Sequence, residues 1–293
     1  MEANRERETA RYWQHPAIPH TDLLSARYVR HTFGKHTHDT FVIAAVTRGV
    51  EEFAHAGEVL RVHPGELALV NPDVMHTGHA GVPEGWSYRV LYPEVSEVEA
   101  VAGELGLRRP GAGGLHATRT VVPDPALSEL VLRVHAAAEL DNALAASTAW
   151  RSVIVRLAQG YLAPLRASAP PGSAAGAGRL AAARARELLL SRMERPPSLD
   201  ELAAEVGARP FPLLRVFRDA YGLPPHAWLT QERVRRARRL LDGGVRPAEA
   251  AVRVGFVDQA HLTRHFRRML GVPPGAYAAG RLGPGRQGAD PPP

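Results

Sequence analysis

The sequence predicts an α+β chain of two domains: a β-rich N-terminal half closed by helices, then an all-α C-terminal half. Three observations carry this expectation. Between Ala26 and Tyr92, apolar runs of strand length alternate with turn residues; from Pro125 the texture becomes alanine- and leucine-rich helix; and the last hundred or so residues contain the same helical outline twice. With 293 residues the chain is long enough for two separate cores.

Residues 1–25 read as an irregular lead-in. Phe41–Val46 and Leu67–Val70 have the length and composition of strands, and Ala56-Gly57, Pro64-Gly65, Asn71-Pro72 and Gly81 mark turns between such runs. Short strands at this spacing form a β-sandwich or small barrel. Residues 125–161 read as two helices split near Asp141-Asn142. Leu127, Leu130, Val131, Val134 and Ala138 make an apolar stripe on the first, available either to a second copy or to the barrel. The stretch PLRASAPPGSAAGAG at 164–178 has a linker's composition. The expected boundaries are therefore 1–163, a linker at 164–178, a helical block at 179–281 and a disordered Gly- and Pro-rich tail at 282–293.

Composition removes several classes of function. The chain has no cysteine, which excludes disulfides and thiolate metal sites. No apolar run approaches the roughly 20 residues needed to span a bilayer. The first residues, Met-Glu-Ala-Asn-Arg-Glu-Arg-Glu, are charged where a leader would be apolar, so the expected compartment is the cytoplasm. The net charge of +6 is unevenly placed: residues 1–178 carry 16 basic and 19 acidic side chains, and residues 179–281 carry 19 and 10. A basic surplus confined to one block is the footprint of a polyanion binder. Lys35 is the only lysine, but the arginine bias runs through both halves and reflects coding composition as much as function.

Within the helical block, a first helix is expected over 179–193. Ser198-Leu-Asp-Glu201 is a capping box opening a short helix that Gly207 stops. A second helix, about 210–221, places Leu213, Val216 and Phe217 inward and Phe211, Leu214, Arg215 and Arg218 outward. The outline recurs from Pro247: Ala250, Ala251 and Val254 face inward, Gly255 stops the helix, and 258–270 follows with Leu262, Phe266 and Met269 inside. Its outer face carries Gln259, His261, Thr263, Arg264 and Arg267. Two short helices around a tight glycine turn make a helix-turn-helix. Between the two units a helix over 225–241 carries Arg235, Arg236, Arg238 and Arg239 on its outer faces.

The segment from Ser198 to Tyr277, with GFVDQAHLTRHFRRMLGVPPGAY at 255–277, resembles the DNA-binding domain of the AraC family of transcription regulators. The resemblance implies double-stranded DNA as partner, with two recognition helices in successive major-groove faces about 34 Å apart. It implies base-facing roles for Phe211, Leu214 and Arg215, then Gln259, Thr263 and Arg264. Arginine forks suit guanine, glutamine suits adenine, and Phe211 suits a thymine methyl. The sequence departs from the family twice. Arg209 and Val257 stand where a serine-like cap is usual, and Pro212 replaces a polar contact residue.

The N-terminal pattern of His36-Thr-His38, Gly57, Pro64-Gly65-Glu66, Asn71-Pro72 and His76 resembles the cupin-like barrel of the same family, and Gly85-Trp86-Ser-Tyr88-Arg89 fits it too. That resemblance implies a small-molecule effector inside the barrel, lined by His36, His38, His76, Trp86, Tyr88 and Arg89, with Arg89 suited to a carboxylate. It also implies a dimerisation role for the helices of 125–161, hence a homodimer, and contact with RNA polymerase if the protein activates. Cupin enzymes hold a metal with an H-x-H pair, a carboxylate and a distant histidine. Here His36, His38 and His76 fit, but Val42 or Ile43 stands at the carboxylate position, so the sequence assigns no metal, cofactor or catalytic residue. The alternatives to a ligand-responsive regulator are a cupin metalloenzyme with an accessory DNA-binding domain and a constitutive DNA-binding dimer. Activation and repression are not distinguished.

Overall fold

The computed structural model describes residues 8–107, 114–164 and 173–281. They fall into two compact units, residues 8–164 and residues 173–278, with residues 279–281 grouped with the first.

The first unit opens with strands β1 (Thr9–Gln14) and β2 (Thr21–Tyr28), where an irregular lead-in is expected from sequence. The prolines at 16 and 19 lie only in the connection. β2 sits between two strands with both faces covered, so it lacks the alternation that advertises a half-exposed strand. There follow β3 (Phe33–His36), β4 (Val42–Gly49), β5 (Glu51–His55), β6 (Glu58–Val62), β7 (Leu67–Val70), β8 (His76–Ala80) and β9 (Trp86–Pro93). Then come helix α1 (Val95–Glu104), β10 (Leu115–Ala117), β11 (Val121–Val122), helices α2 (Pro125–Glu139) and α3 (Ala143–Gly160), and β12 (Leu162–Pro164). One sheet has the order β1-β2-β9-β4-β7-β11, a second β3-β8-β5-β6, and β10 pairs with β12. The turn from β5 to β6 is the two-residue Ala56-Gly57, both at positive φ (52° and 90°), the geometry that matches strand twist in a tight hairpin.

The larger sheet has two buried faces. Leu23, Ile43, Ala45, Leu67, Leu69 and Leu91 face α2 and α3, meeting Leu127, Val131, Val134, Trp150, Val153 and Ile154 in one core. The other face turns aromatic rings toward the smaller sheet: Tyr28 lies 5.4 Å from Phe33, and Tyr92 lies 5.1 Å from His38. The apolar stripe on α2 is thus taken up by the chain's own sheet: Leu127, Val131 and Val134 are fully buried there and only Leu130 is partly exposed. Asp124 caps α2 by accepting from the Leu127 amide (3.0 Å), and also accepts from Arg156 Nε (2.8 Å) and Tyr161 Oη (2.9 Å), joining the start of α2 to the end of α3. The helices part at Asp141 (φ 54°), with Asn142 capping α3, as the sequence suggests.

The second unit contains α4 (Ser173–Ser191), α5 (Leu199–Glu205), α6 (Pro210–Tyr221), α7 (Pro225–Asp242), α8 (Pro247–Arg253), α9 (Gln259–Leu270) and α10 (Pro274–Arg281) up to Ala278. The linker expected at 164–178 is corrected at its C-terminal end, because α4 begins at Ser173, six residues before the expected start at Arg179. Alanine-rich sequence continues a helix at little cost, and glycine weakens but does not forbid it. Residues 165–172 of that linker, and the tail at 282–293, lie outside the described residues. The capping box on α5 forms: Ser198 Oγ accepts from the Glu201 amide (3.3 Å), and Glu201 Oε2 accepts from the Ser198 amide (2.8 Å).

Candidate functional site

The two helix-turn-helix units superpose in sequence logic. Leu213 and Phe217 of α6 correspond to Leu262 and Phe266 of α9, all fully buried, and both helices end on a left-handed glycine, Gly222 (φ 74°) and Gly271 (φ 75°). Burying i and i+4 fixes which residues point away. Phe211, Arg215 and Arg218 of α6, and Gln259, Arg264 and Arg267 of α9, are exposed; Leu214, His261 and Thr263 are half-buried. Phe211 is 80% exposed, a large apolar ring on the outward face of α6.

The helix starts differ from each other. Arg209 precedes α6 without a side-chain cap, as the sequence indicates, and Pro210 reduces the number of unpaired amides. The missing cap expected at Val257 is corrected: the cap of α9 is Asp258, whose Oδ1 accepts from the His261 amide at 2.7 Å. A five-residue turn rather than four moves the capping position one residue along. His261 does not project freely; its ring lies 5.0 Å from Phe256 and 5.0 Å from His265. Burial, then His261, Arg264 and Arg268, lower the pKa of His265.

Sequence reading passed over Arg233. It is buried on α7, donating from Nε (3.0 Å) and Nη2 (2.6 Å) to the Met193 carbonyl beyond α4, while its guanidinium lies 5.9 Å from the Phe256 ring. It therefore holds α4 and the second helix-turn-helix to the connecting helix. Its position beside Val234 and four residues before Ala237 was the available signal. Gly255 completes this junction: at φ 89°, a Cβ would meet the Met193 carbonyl at 2.8 Å. Of the outward arginines on α7, Arg235 is paired with Glu232 (2.9 Å), and Arg236 and Arg239 are exposed.

In the β unit, His36, His38 and His76 come together, buried, with one ring nitrogen of each lying within 4.8 Å of the others. His36 and His76 are cross-strand partners on β3 and β8. Burial holds the His76 ring neutral, with its pKa lowered to about 4. Trp86 and Tyr88 are also brought together, ring centroids 5.9 Å apart, but as core packing against Tyr28 and Phe33. Arg89 does not join them: strand alternation sends it with Leu91 toward the helices, where its charge helps burial push the His135 pKa down to about 3. Glu51 went unnoticed in sequence. It shares the inward face of β5 with Phe53, Oε2 accepts no hydrogen bond among the described residues, and burial raises its pKa to about 7. At one end of the larger sheet an open cleft of about 550 Å³ is lined by Arg27, Arg48, Glu84, Trp86 and Ser87. A second cleft, about 620 Å³, lies on the outer side of α2 and α3 beside the exposed Leu140 and Leu144.

A β domain joined to a tandem helix-turn-helix with outward arginines places the protein in the class of DNA-binding transcription regulators. Residues 6–154 match the AraC-like ligand binding domain and residues 202–280 match a helix-turn-helix domain, so the chain belongs to the AraC family of transcription regulators. It is 26% identical over 248 residues to the HTH-type regulator YbfI of Bacillus subtilis, covering 83% of this chain and 87% of that one. It is 27% identical over 273 residues to the transcriptional activator NphR of a Rhodococcus, covering 89% and 75%. In fold it is similar to ToxT of Vibrio cholerae with unsaturated fatty acid bound (TM-score 0.50, 12% identity, covering 95% of this chain and 97% of that one). Among the described residues, no helix is long and apolar enough to cross a membrane.

Proposed function

We propose that the chain regulates transcription by reading DNA with α6 and α9 and by binding a small-molecule effector in its β unit. The observation that carries the reading is the pair of equivalent helices, each anchored by a buried Leu and Phe and each presenting exposed arginine outward. Phe211, Leu214 and Arg215, and Gln259, Thr263 and Arg264, are assigned to base edges; Arg218, Arg267 and His261 flank them at the phosphates. With no side-chain cap on α6, its amides are available to a phosphate, so the first unit contributes more to positioning than the second.

The effector is proposed to carry a carboxylate and to enter by the cleft bearing Arg27 and Arg48, which replace Arg89 in that role. ToxT, with its bound fatty acid, is a protein of similar fold whose ligand belongs to this class. The chain acts in the cytoplasm by binding rather than catalysis, and as a homodimer through the outer side of α2 and α3, where Leu140 and Leu144 are exposed. Contact with RNA polymerase follows if it activates. The close packing of Trp86 and Tyr88 favours a second reading, a constitutive DNA-binding dimer.

The test is selection from a random DNA library by the purified full chain at stated salt, with and without candidate carboxylates. Two short blocks one turn apart support reading by both units, and a single block assigns sequence reading to α9 alone. No enriched motif under any condition overturns the proposal, and enrichment indifferent to every effector supports the constitutive dimer.

A further inference from the structure

We infer that His36, His38 and His76 form a binding site for one divalent transition-metal ion. His36 Nδ1 lies 2.7 Å from the Gly34 carbonyl and His76 Nδ1 lies 3.0 Å from the Val74 carbonyl. A carbonyl only accepts, so both Nδ1 atoms carry the proton. A neutral imidazole has a single N–H, which leaves the Nε2 of each ring with a lone pair directed away from its strand. The two rings use the same local device, a bond to the carbonyl two residues earlier. Tying the far nitrogen of a histidine to a carbonyl is how metal sites orient their ligands.

The third ring converges on these lone pairs. His38 Nε2 lies 3.1 Å from His36 Nε2, and all three rings are buried. With M–N bonds near 2.0–2.1 Å, ligand nitrogens of a tetrahedral site lie about 3.3 Å apart, which falls inside the separations present here. A register shift in β3 between Phe33 and His36 sets the histidine against its partner on β8. Three side chains from two strands and the following loop therefore meet without repacking.

The donor set selects the ion. Three imidazoles with no thiolate favour zinc, iron(II), cobalt, nickel or copper over calcium and magnesium, which require oxygen. Three protein ligands leave one coordination position open, and a buried dication there favours an anionic oxygen. The inference does not depend on the proposed regulatory function, since metal uptake is read without DNA or effector.

The experiment uses the full chain without a polyhistidine tag, stripped with chelator and titrated with cobalt(II) and with zinc(II). The expected result is one equivalent per chain, ligand-field absorption from cobalt of low-symmetry nitrogen coordination, and a raised Tm. His38→Ala and His76→Ala should each bind at least about tenfold more weakly, while His63→Ala, at an exposed position, should bind as the parent does. If the alanine variants do not fold, His36→Gln and His38→Gln take their place, with circular dichroism as the check of folding. Substoichiometric uptake by the parent chain, or unchanged uptake by a folded His36→Gln/His38→Gln variant, overturns the site.

Discussion

Replacing Glu51 by glutamine should make the protein's stability less dependent on pH between pH 4.5 and 8. The Glu51 side chain is buried on the inward face of β5, Oε2 has no hydrogen-bond partner among the described residues, and burial raises the pKa from 4.5 to about 7. Below pH 4.5 the carboxyl is protonated in both the folded and unfolded chain, and its contribution does not change. Between pH 4.5 and about 7 the unfolded chain ionises there while the folded chain stays neutral, so stability declines as pH rises. Above about pH 7 both are ionised and the loss is complete. One pKa unit corresponds to about 1.4 kcal/mol, so the total is about 3 kcal/mol. Glutamine keeps the shape and cannot ionise; any fixed cost of burying its amide is the same at every pH. The assay is urea unfolding of the chelator-treated full chain at a series of pH values, followed by tryptophan emission. Trp13, Trp86 and Trp150 lie in the β unit, and the chain has only four tryptophans in all, so the signal reports mainly on that unit. The stability of Glu51→Gln relative to the parent should rise by about 3 kcal/mol from pH 4.5 to pH 8. A constant difference across that range would refute the reasoning.

Other substitutions test other parts of the argument. Arg264→Ala should cost about 1–3 kcal/mol on a selected site and relax the preference at one base pair, whereas Arg239→Ala should weaken specific and random DNA alike and flatten the salt dependence; equal losses on both DNAs for Arg264→Ala sink its base-reading role. Asp258→Ala removes the cap of α9 and should lower stability by about 1 kcal/mol, while Arg209→Ser should add a comparable amount at α6; denaturation midpoints of the two variants check both signs. Asp124→Ala strands Arg156 and Tyr161 together with the first turn of α2 and should destabilise by about 2–3 kcal/mol. Because Arg156 and the other partners lower the Asp124 pKa from 3.8 to about 2, the ionised part of that contribution, about 2 kcal/mol, should be lost progressively as pH falls from about 5 through this interval, and a parent-minus-variant difference as large at pH 2 as at pH 6 would contradict it.

The sequence alone determined the elements whose pattern is local. The tandem outline in the second unit was legible because helical spacing of Leu213 and Phe217, then Leu262 and Phe266, dictates both the buried stripe and the outward residues. The capping box at Ser198, the split at Asp141-Asn142 and the turn at Ala56-Gly57 were legible for the same reason: each depends on hydrogen bonds or dihedrals within a few residues. Tertiary structure decided what depends on neighbours distant in sequence. β2 became a central strand because β1 and β9 cover its edges, and the α2 stripe was claimed by the sheet rather than left for a second copy. Arg89 went to the helix side because β9 begins its alternation with Trp86 facing inward, which no count along the chain specifies. Arg233 and Glu51 are charged residues that composition assigns to the surface, and only packing from both sides encloses them. His36, His38 and His76 were named from sequence as a set. That the lone pairs of His36 and His76 converge with His38 was settled by the Gly34 and Val74 carbonyls and by the pairing of β3 with β8, because side-chain direction is fixed by backbone groups that a sequence does not place in space.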